Sequence, residues 1–205
     1  MCYTLSIKIL PDILGAGRIR KWNYMNFASL KKHDEINGPG ARVSLFVSGC
    51  VHNCQGCINP KYVDFNYGKQ LTGDVIDTIY RAANHDYIAG LNILGGEPLA
   101  PQNQPMVLKV MQKFKEIFPH KSIWCFSGYD FENEILPGKI GDSALVKSIL
   151  ALVDVLVNGK YKEAEKDDAL PYTNSKNQRL IDVKKTLQAG KTVLWEAVAK
   201  TAAVE

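Results

Sequence analysis

The sequence predicts an α/β fold: a mostly parallel sheet curled into an open, partial (βα) barrel. Three observations lead there. From residue 42 onward, short runs of branched and aromatic residues alternate with segments of helical period. The main strand-like runs stop at glycine-containing turns, at Gly49, Gly95, Gly128 and Gly159. About five such units follow one another, too few to close an eight-fold barrel.

Residues 1–24 carry Pro11, Gly15 and Gly17 without a clear period. They are expected to form an extension before a domain over residues 25–187, with residues 188–205 as a tail. Asn37-Gly38-Pro39-Gly40 is a concentrated turn signal that leads into a strand, Arg42-Val43-Ser44-Leu45-Phe46-Val47. Thr72 is placed to cap a helix running to about His85, with Val75, Ile76, Ile79 and Ala83 on one face. Gly90 to Leu94 reads as a second strand, stopped by Gly95-Gly96-Glu97-Pro98. A helix follows from about Pro105, its buried stripe supplied by Val107, Val110, Met111, Phe114 and Ile117. Ser122 to Phe126 is a third strand, and helices near 130–136 and 143–151 precede a fourth, Asp154 to Val157. A weaker fifth strand covers Arg179 to Val183.

In open sheets of this kind ligands gather at the C-terminal ends of the strands. Four motifs are expected on that rim: the loop after Val47, Gly95-Gly96-Glu97-Pro98, Ser127-Gly128-Tyr129 and Asn158-Gly159-Lys160.

The loop after Val47 carries the chemistry. Cys50, Cys54 and Cys57 stand within eight residues as Cys-x3-Cys-x2-Cys. Three thiolates from one tight loop can hold three irons of a cubane [4Fe–4S] cluster, which normally takes four cysteines. One iron is then left open to a substrate. A structural zinc site is the competing reading. It needs four ligands, so Cys54 and Cys57 would have to be joined by Cys50 and either His52 or Cys125. A thioredoxin-like redox pair, Cys54 with Cys57, also stands, although it leaves Cys50 unexplained. His52 reads as a loop-shaping residue, Cys125 as a small core hydrophobe in its strand, and Cys2 as incidental.

Composition sets outer bounds. The 205 residues, 46% hydrophobic and 22% charged, suit one soluble globular domain. No apolar run approaches the ~20 residues that cross a bilayer, and no signal-like leader opens the chain, so a cytoplasmic location is expected. The net charge of +4 is spread rather than striped, which points to neither a nucleic-acid nor a membrane partner. Clustered cysteines in such a chain suggest metal binding or catalysis rather than disulfides.

The cysteine spacing resembles that of the radical S-adenosylmethionine (SAM) superfamily. The wider run from Asn37-Gly38-Pro39-Gly40 through Leu45-Phe46-Val47-Ser48-Gly49-Cys50-Val51-His52 to Gly56-Cys57 is similar to the activating proteins of anaerobic ribonucleoside-triphosphate reductase. So are Pro98 to Asn103, Ile123-Trp124, Ser127-Gly128-Tyr129, Val155 to Lys160 and Asn177-Gln178-Arg179. The resemblance spans about residues 25 to 183 and implies the partial barrel of the radical SAM type. It implies Cys50, Cys54 and Cys57 as cluster ligands, with SAM chelating the open iron through its amino and carboxylate groups. Gly95 and Gly96 would let backbone approach SAM, Glu97 would accept a hydrogen bond from its amino group, and Gly56 and Ile58 would flank its adenosyl part. One electron would split SAM into methionine and a 5′-deoxyadenosyl radical, which would take a hydrogen from a glycine of the large reductase subunit. A low-potential donor resembling flavodoxin would supply the electron, and the setting would be anaerobic.

Three positions depart from the family pattern: Ile58 where an aromatic residue is frequent, and Glu97 and Asn158 where aspartate is common. Tyr129 and Lys160 are placed to meet SAM or the partner, or to serve the rim structurally. Arg179 is placed to pair with a carboxylate of SAM or the partner, or to form a surface salt bridge. Two further functions stand beside the main one. The first keeps radical SAM chemistry but activates another glycyl-radical enzyme or modifies a small molecule. The second is a noncatalytic zinc-binding interaction module.

Overall fold

A computed structural model describes residues 24–196. Cys2 and the expected extension, apart from Tyr24, lie outside the described residues, as does the end of the expected tail. Strand and helix follow in the order β1 (Asn26–Asp34), β2 (Ala41–Val47), β3 (Lys69–Gln70), α1 (Gly73–Ala83), β4 (Ile88–Gly95), α2 (Gln104–Ile117), β5 (Ser122–Ser127), α3 (Ser143–Leu152), β6 (Val155–Asn158), β7 (Arg179–Asp182) and α4 (Val183–Ala189). One sheet results, with strand order β3-β1-β2-β4-β5-β6-β7. Its middle four strands, β2, β4, β5 and β6, run parallel. β3 and β7 end the sheet at opposite edges, so it stays open. The α/β, partial-barrel expectation holds.

The helices form where the sequence places them. Pro105 sits in the first turn of α2, where its missing N–H costs nothing. Asp142 caps α3 by accepting from the amides of Ala144 and Leu145. Thr72 occupies the cap position of α1 but makes no side-chain capping bond.

Strand alternation divides the sheet into two faces. Val43, Leu45, Val47, Leu91, Ile93, Ile123, Cys125, Leu156 and Ile181 pack in one core with Ile79 and Ala83 of α1, Val107, Val110, Met111 and Phe114 of α2, and Val146, Ile149 and Leu150 of α3. Cys125 is fully buried there, the small core hydrophobe the sequence suggested. The other face is lined by the alternate residues. Trp124, Val155 and Val157 form a second cluster with Phe126, Tyr172, Leu180 and Trp195. Residues 188–196, expected as a tail, reach the sheet: the Trp195 amide donates to the Leu180 carbonyl at 2.8 Å, and Trp195 meets Trp124 edge-on at 5.0 Å.

Deeper on that face Arg42 is fully buried. Its guanidinium donates to Asn92 Oδ1 at 2.6 Å, Ser122 Oγ at 3.0 Å, and the carbonyls of Leu91 at 3.2 Å and Ser122 at 3.0 Å. Those partners bind β2, β4 and β5 together. Burial pulls the Arg42 pKa down to about 10, opposed by the charges of Asp154 and Asp34.

β1 was not foreseen. Its sequence, NFASLKKHD, is polar and lacks alternation. It forms because β2 offers it a partner, and its register slips twice, between Phe27 and Ser29 and between Lys31 and Asp34. The two-residue β3 shields little of its outer edge, so Lys31, Lys32 and His33 stay exposed. Among the described residues no helix is long and apolar enough to cross a membrane.

Candidate functional site

The four expected motifs converge on the rim at the C-terminal ends of the parallel strands. The cysteine loop leaves β2, Gly95-Gly96-Glu97-Pro98 leaves β4, Ser127-Gly128-Tyr129 leaves β5 and Asn158-Gly159-Lys160 leaves β6. Backbone bonds stitch neighbours together. Gly96 N–H donates to Val47 O and Glu97 N–H to Gly49 O, each at 2.8 Å, and Gly159 N–H donates to Ser127 O at 2.9 Å.

Gly95, the last residue of β4, and Gly96 after it are required by that stitching. Gly95 has φ +108°, and a Cβ on Gly96 would stand 2.4 Å from Gly49 O. The strand ends therefore pack backbone on backbone. Asn103, at the start of α2, completes the joint by donating to Ser48 O, Gly49 O and Glu97 O at 3.1, 3.4 and 2.9 Å. Sequence reasoning gave Asn103 no role, although it lay in one of the matching segments.

Cys50, Cys54 and Cys57 are free thiols, each partly exposed on one loop. The His52 amide donates to Cys50 Sγ at 3.5 Å. Burial pushes the Cys50 thiol up to about 11, with the charges of Glu97, Cys54 and Cys57 adding to it. Burial also raises Cys54, with Cys57 adding to it. Gly56 has φ +70°, and a Cβ there would strike the carboxylate of Glu163. Ile58 is about half exposed beside the last cysteine.

Glu97 is 1% exposed and sits at the centre of the rim. Its Oε1 accepts from the Leu99 amide at 2.8 Å and Ser127 Oγ at 3.0 Å. Its Oε2 accepts from the Gly128 amide at 2.8 Å and from His52 Nε2 at 2.7 Å. The His52 ring lies edge-on to Tyr129 at 4.4 Å and fills the space a Cβ on Gly128 would need, 2.6 Å from its Cδ2. Burial raises the Tyr129 hydroxyl to about 12, with Glu97, Glu134 and Cys50 adding to it. His52 is thus more than a loop-shaping residue: its backbone touches a cysteine and its ring touches the buried carboxylate. The sequence signal was its place two residues after Cys50.

The remaining rim residues are tied within the protein. Asn158, 2% exposed, donates to Tyr129 O at 2.6 Å and accepts from Arg179. Arg179 forks onto Glu132 at 2.9 and 2.6 Å, a surface salt bridge. Gln178 and Asn177 donate to the carbonyls of Gly159 and Lys160 at 2.9 and 2.8 Å.

The comparisons with known proteins converge. The 4Fe-4S single cluster domain model matches residues 36–181. Anaerobic ribonucleoside-triphosphate reductase-activating protein of Escherichia coli K12 is 37% identical over 156 residues, which cover 75% of this chain and 96% of that protein. The proteins of the same name from Enterobacteria phage T4 and Vibrio cholerae are 35% and 36% identical, covering 76% and 75% of this chain and 93% and 96% of theirs. The chain belongs to this family of activating proteins.

The family's cofactors are a [4Fe–4S] cluster and SAM, and the donor set fits the cluster. Cubane cysteines bind different irons and need not converge on one point. Among the described residues no three His, Cys, Asp or Glu side chains do converge as ligands of a single ion. The zinc reading needs Cys125 or His52 as its fourth ligand. Cys125 is sealed in the helix-side core, and His52 Nε2 is engaged by Glu97. The His52 amide aimed at Cys50 Sγ is the kind of contact a bound thiolate uses.

Proposed function

We propose that this chain activates an anaerobic ribonucleoside-triphosphate reductase by placing a glycyl radical on its large subunit. The observation that carries the reading is the three-thiol loop facing Glu97 across the ends of β2 and β4, with no fourth cysteine in reach among the described residues. Cys50, Cys54 and Cys57 would hold the cluster, which would supply the single electron for reductive cleavage of SAM.

The chain's own residues bind and orient. Glu97 accepts from the amino group of SAM, held in place by the Leu99 and Gly128 amides. The close backbone packing at Gly95 and Gly96 keeps that carboxylate at the rim. Gly56 and Ile58 flank the adenosyl part. The open edge of the sheet leaves the radical's surroundings to be completed by the partner, which a small-molecule enzyme would have to enclose alone. A flavodoxin-like donor provides the electron in an anaerobic cytoplasm.

The test is anaerobic reconstitution with SAM and a strong reductant, followed by addition of the large reductase subunit. Release of methionine and 5′-deoxyadenosine with a glycyl electron-spin signal on the reductase is the expected result. No cleavage by fully loaded protein would overturn the proposal. Cleavage without the spin signal would transfer the chemistry to another glycyl-radical enzyme or a small molecule.

A further inference from the structure

We infer that His52 is a gate on the SAM site: its imidazole occupies the place on Glu97 that the amino group of SAM takes, and binding exchanges one for the other. The inference rests on the reading of Glu97 given above.

A carboxylate offers about four acceptor positions. All four on Glu97 are filled, by the Leu99 amide, Ser127 Oγ, the Gly128 amide and His52 Nε2. An incoming amine must therefore replace one of them. The two amides belong to the backbone that follows β4 and β5 and cannot leave without breaking the rim. Ser127 lies within β5, its own hydroxyl also accepting from the Tyr129 amide at 3.2 Å. His52 alone comes from the cysteine loop, and its ring can depart by side-chain rotation while its amide stays on Cys50 Sγ.

The place it would vacate is built to receive a group. The side chains of His52 and Glu97 are 6% and 1% exposed, so the contact is dry. Gly128 leaves the space open because it has no side chain, and Tyr129 forms a wall at 4.4 Å. Without ligand, the imidazole keeps a buried carboxylate from losing a partner. With ligand, the amine makes the same bond. A closed form that predominates over the open one lowers the apparent affinity by the fraction of open protein.

The experiment measures SAM binding to cluster-loaded protein kept oxidised, so that no cleavage occurs. His52→Ala removes the competitor and is expected to tighten SAM binding, by about tenfold for a closed form favoured about ten to one. His52→Gln retains an N–H donor for Glu97 and is expected to bind SAM as the unaltered protein does. In Glu97→Gln the gain from His52→Ala disappears. An anaerobic crystal structure of the unaltered protein with SAM should show the amine on Glu97 Oε2 and the imidazole turned away. An imidazole still bonded to Glu97 beside bound SAM, or SAM affinity unchanged or weakened by His52→Ala at full cluster content, overturns the gate. If His52→Ala fails to fold or load, the crystal structure decides. Unchanged SAM affinity in Glu97→Gln would instead overturn the underlying assignment of Glu97.

Discussion

Glu97 and Arg42 are buried to within about 1% of full enclosure, yet they stand at opposite ends of one sheet and do different work. Each meets the same cost, because a charge taken out of water must be surrounded by hydrogen bonds. Arg42 meets it with partners from β4 and β5 alone, at four contacts of 2.6–3.2 Å. Glu97 draws three partners from the sheet rim and its fourth from the cysteine loop. The first knot is built entirely of strands and serves the fold. The second includes one replaceable partner, which is what a binding site needs.

The largest effect that would sharpen this contrast is on stability at Arg42. Arg42→Met takes the guanidinium away from Asn92, Ser122 and two carbonyls at a buried to part-buried joint, so it should cost about 3–5 kcal/mol in chemical unfolding. A cost under about 1 kcal/mol would mean that Arg42 does not hold the three strands. Glu97→Gln should behave in the opposite sense. It loses an acceptor for one of its four donors, costing about 1–3 kcal/mol, but its main consequence is weakened SAM binding by isothermal calorimetry. Equal losses of stability and no loss of binding would erase the distinction between the two ends.

Gly128→Ala tests the rim sterically. The nearest atoms to the added Cβ are those of His52, at 2.6 Å from Cδ2 and 2.9 Å from Nε2, and Gly128 does not lie in the left-handed region, so the backbone tolerates alanine. Overpacking of about 1–3 kcal/mol is expected, and the His52–Glu97 contact should open in a crystal structure of the variant. A ring unmoved on Glu97 would show that the rim yields elsewhere.

The strands and helices whose periodicity was strong were legible in the sequence, because burial on one face writes that pattern directly. β1 was not, since a strand covered on its outer side only by the two-residue β3, with three exposed residues in a row, carries no alternation. The positions of Cys50, Cys54, Cys57 and Glu97 on one rim were also legible, because motifs at strand ends inherit the sheet's geometry. Saturation of Glu97 was not. Its four donors come from residues 52, 99, 127 and 128, and only the fold brings the first of these to the last two. Arg42 was only the first residue of an expected strand until its neighbours on β4 and β5 were in place.

The smallest effect separates both buried knots from an exposed one. Glu132 accepts a fork from Arg179 at 2.9 and 2.6 Å and a bond from Thr192 Oγ1 at 2.7 Å, linking β7 to residues beyond α4. The Arg179 bonds first, then Thr192, hold its carboxyl at about 2, below the ordinary 4.5, against a burial effect that raises it. A depressed carboxyl stabilises the fold fully above its unfolded value and loses that contribution as pH falls through its folded value. The contribution should therefore be complete above about pH 4.5 and gone below about pH 2. Both side chains are 39% exposed, so solvent screening limits its worth to under about 1 kcal/mol. Glu132→Gln should cost no more than that at neutral pH, and its unfolding free energy should converge with that of the unaltered protein as the solution is acidified from pH 4.5 toward 2. A gap that stayed constant across that window would mean the fork acts through packing rather than charge.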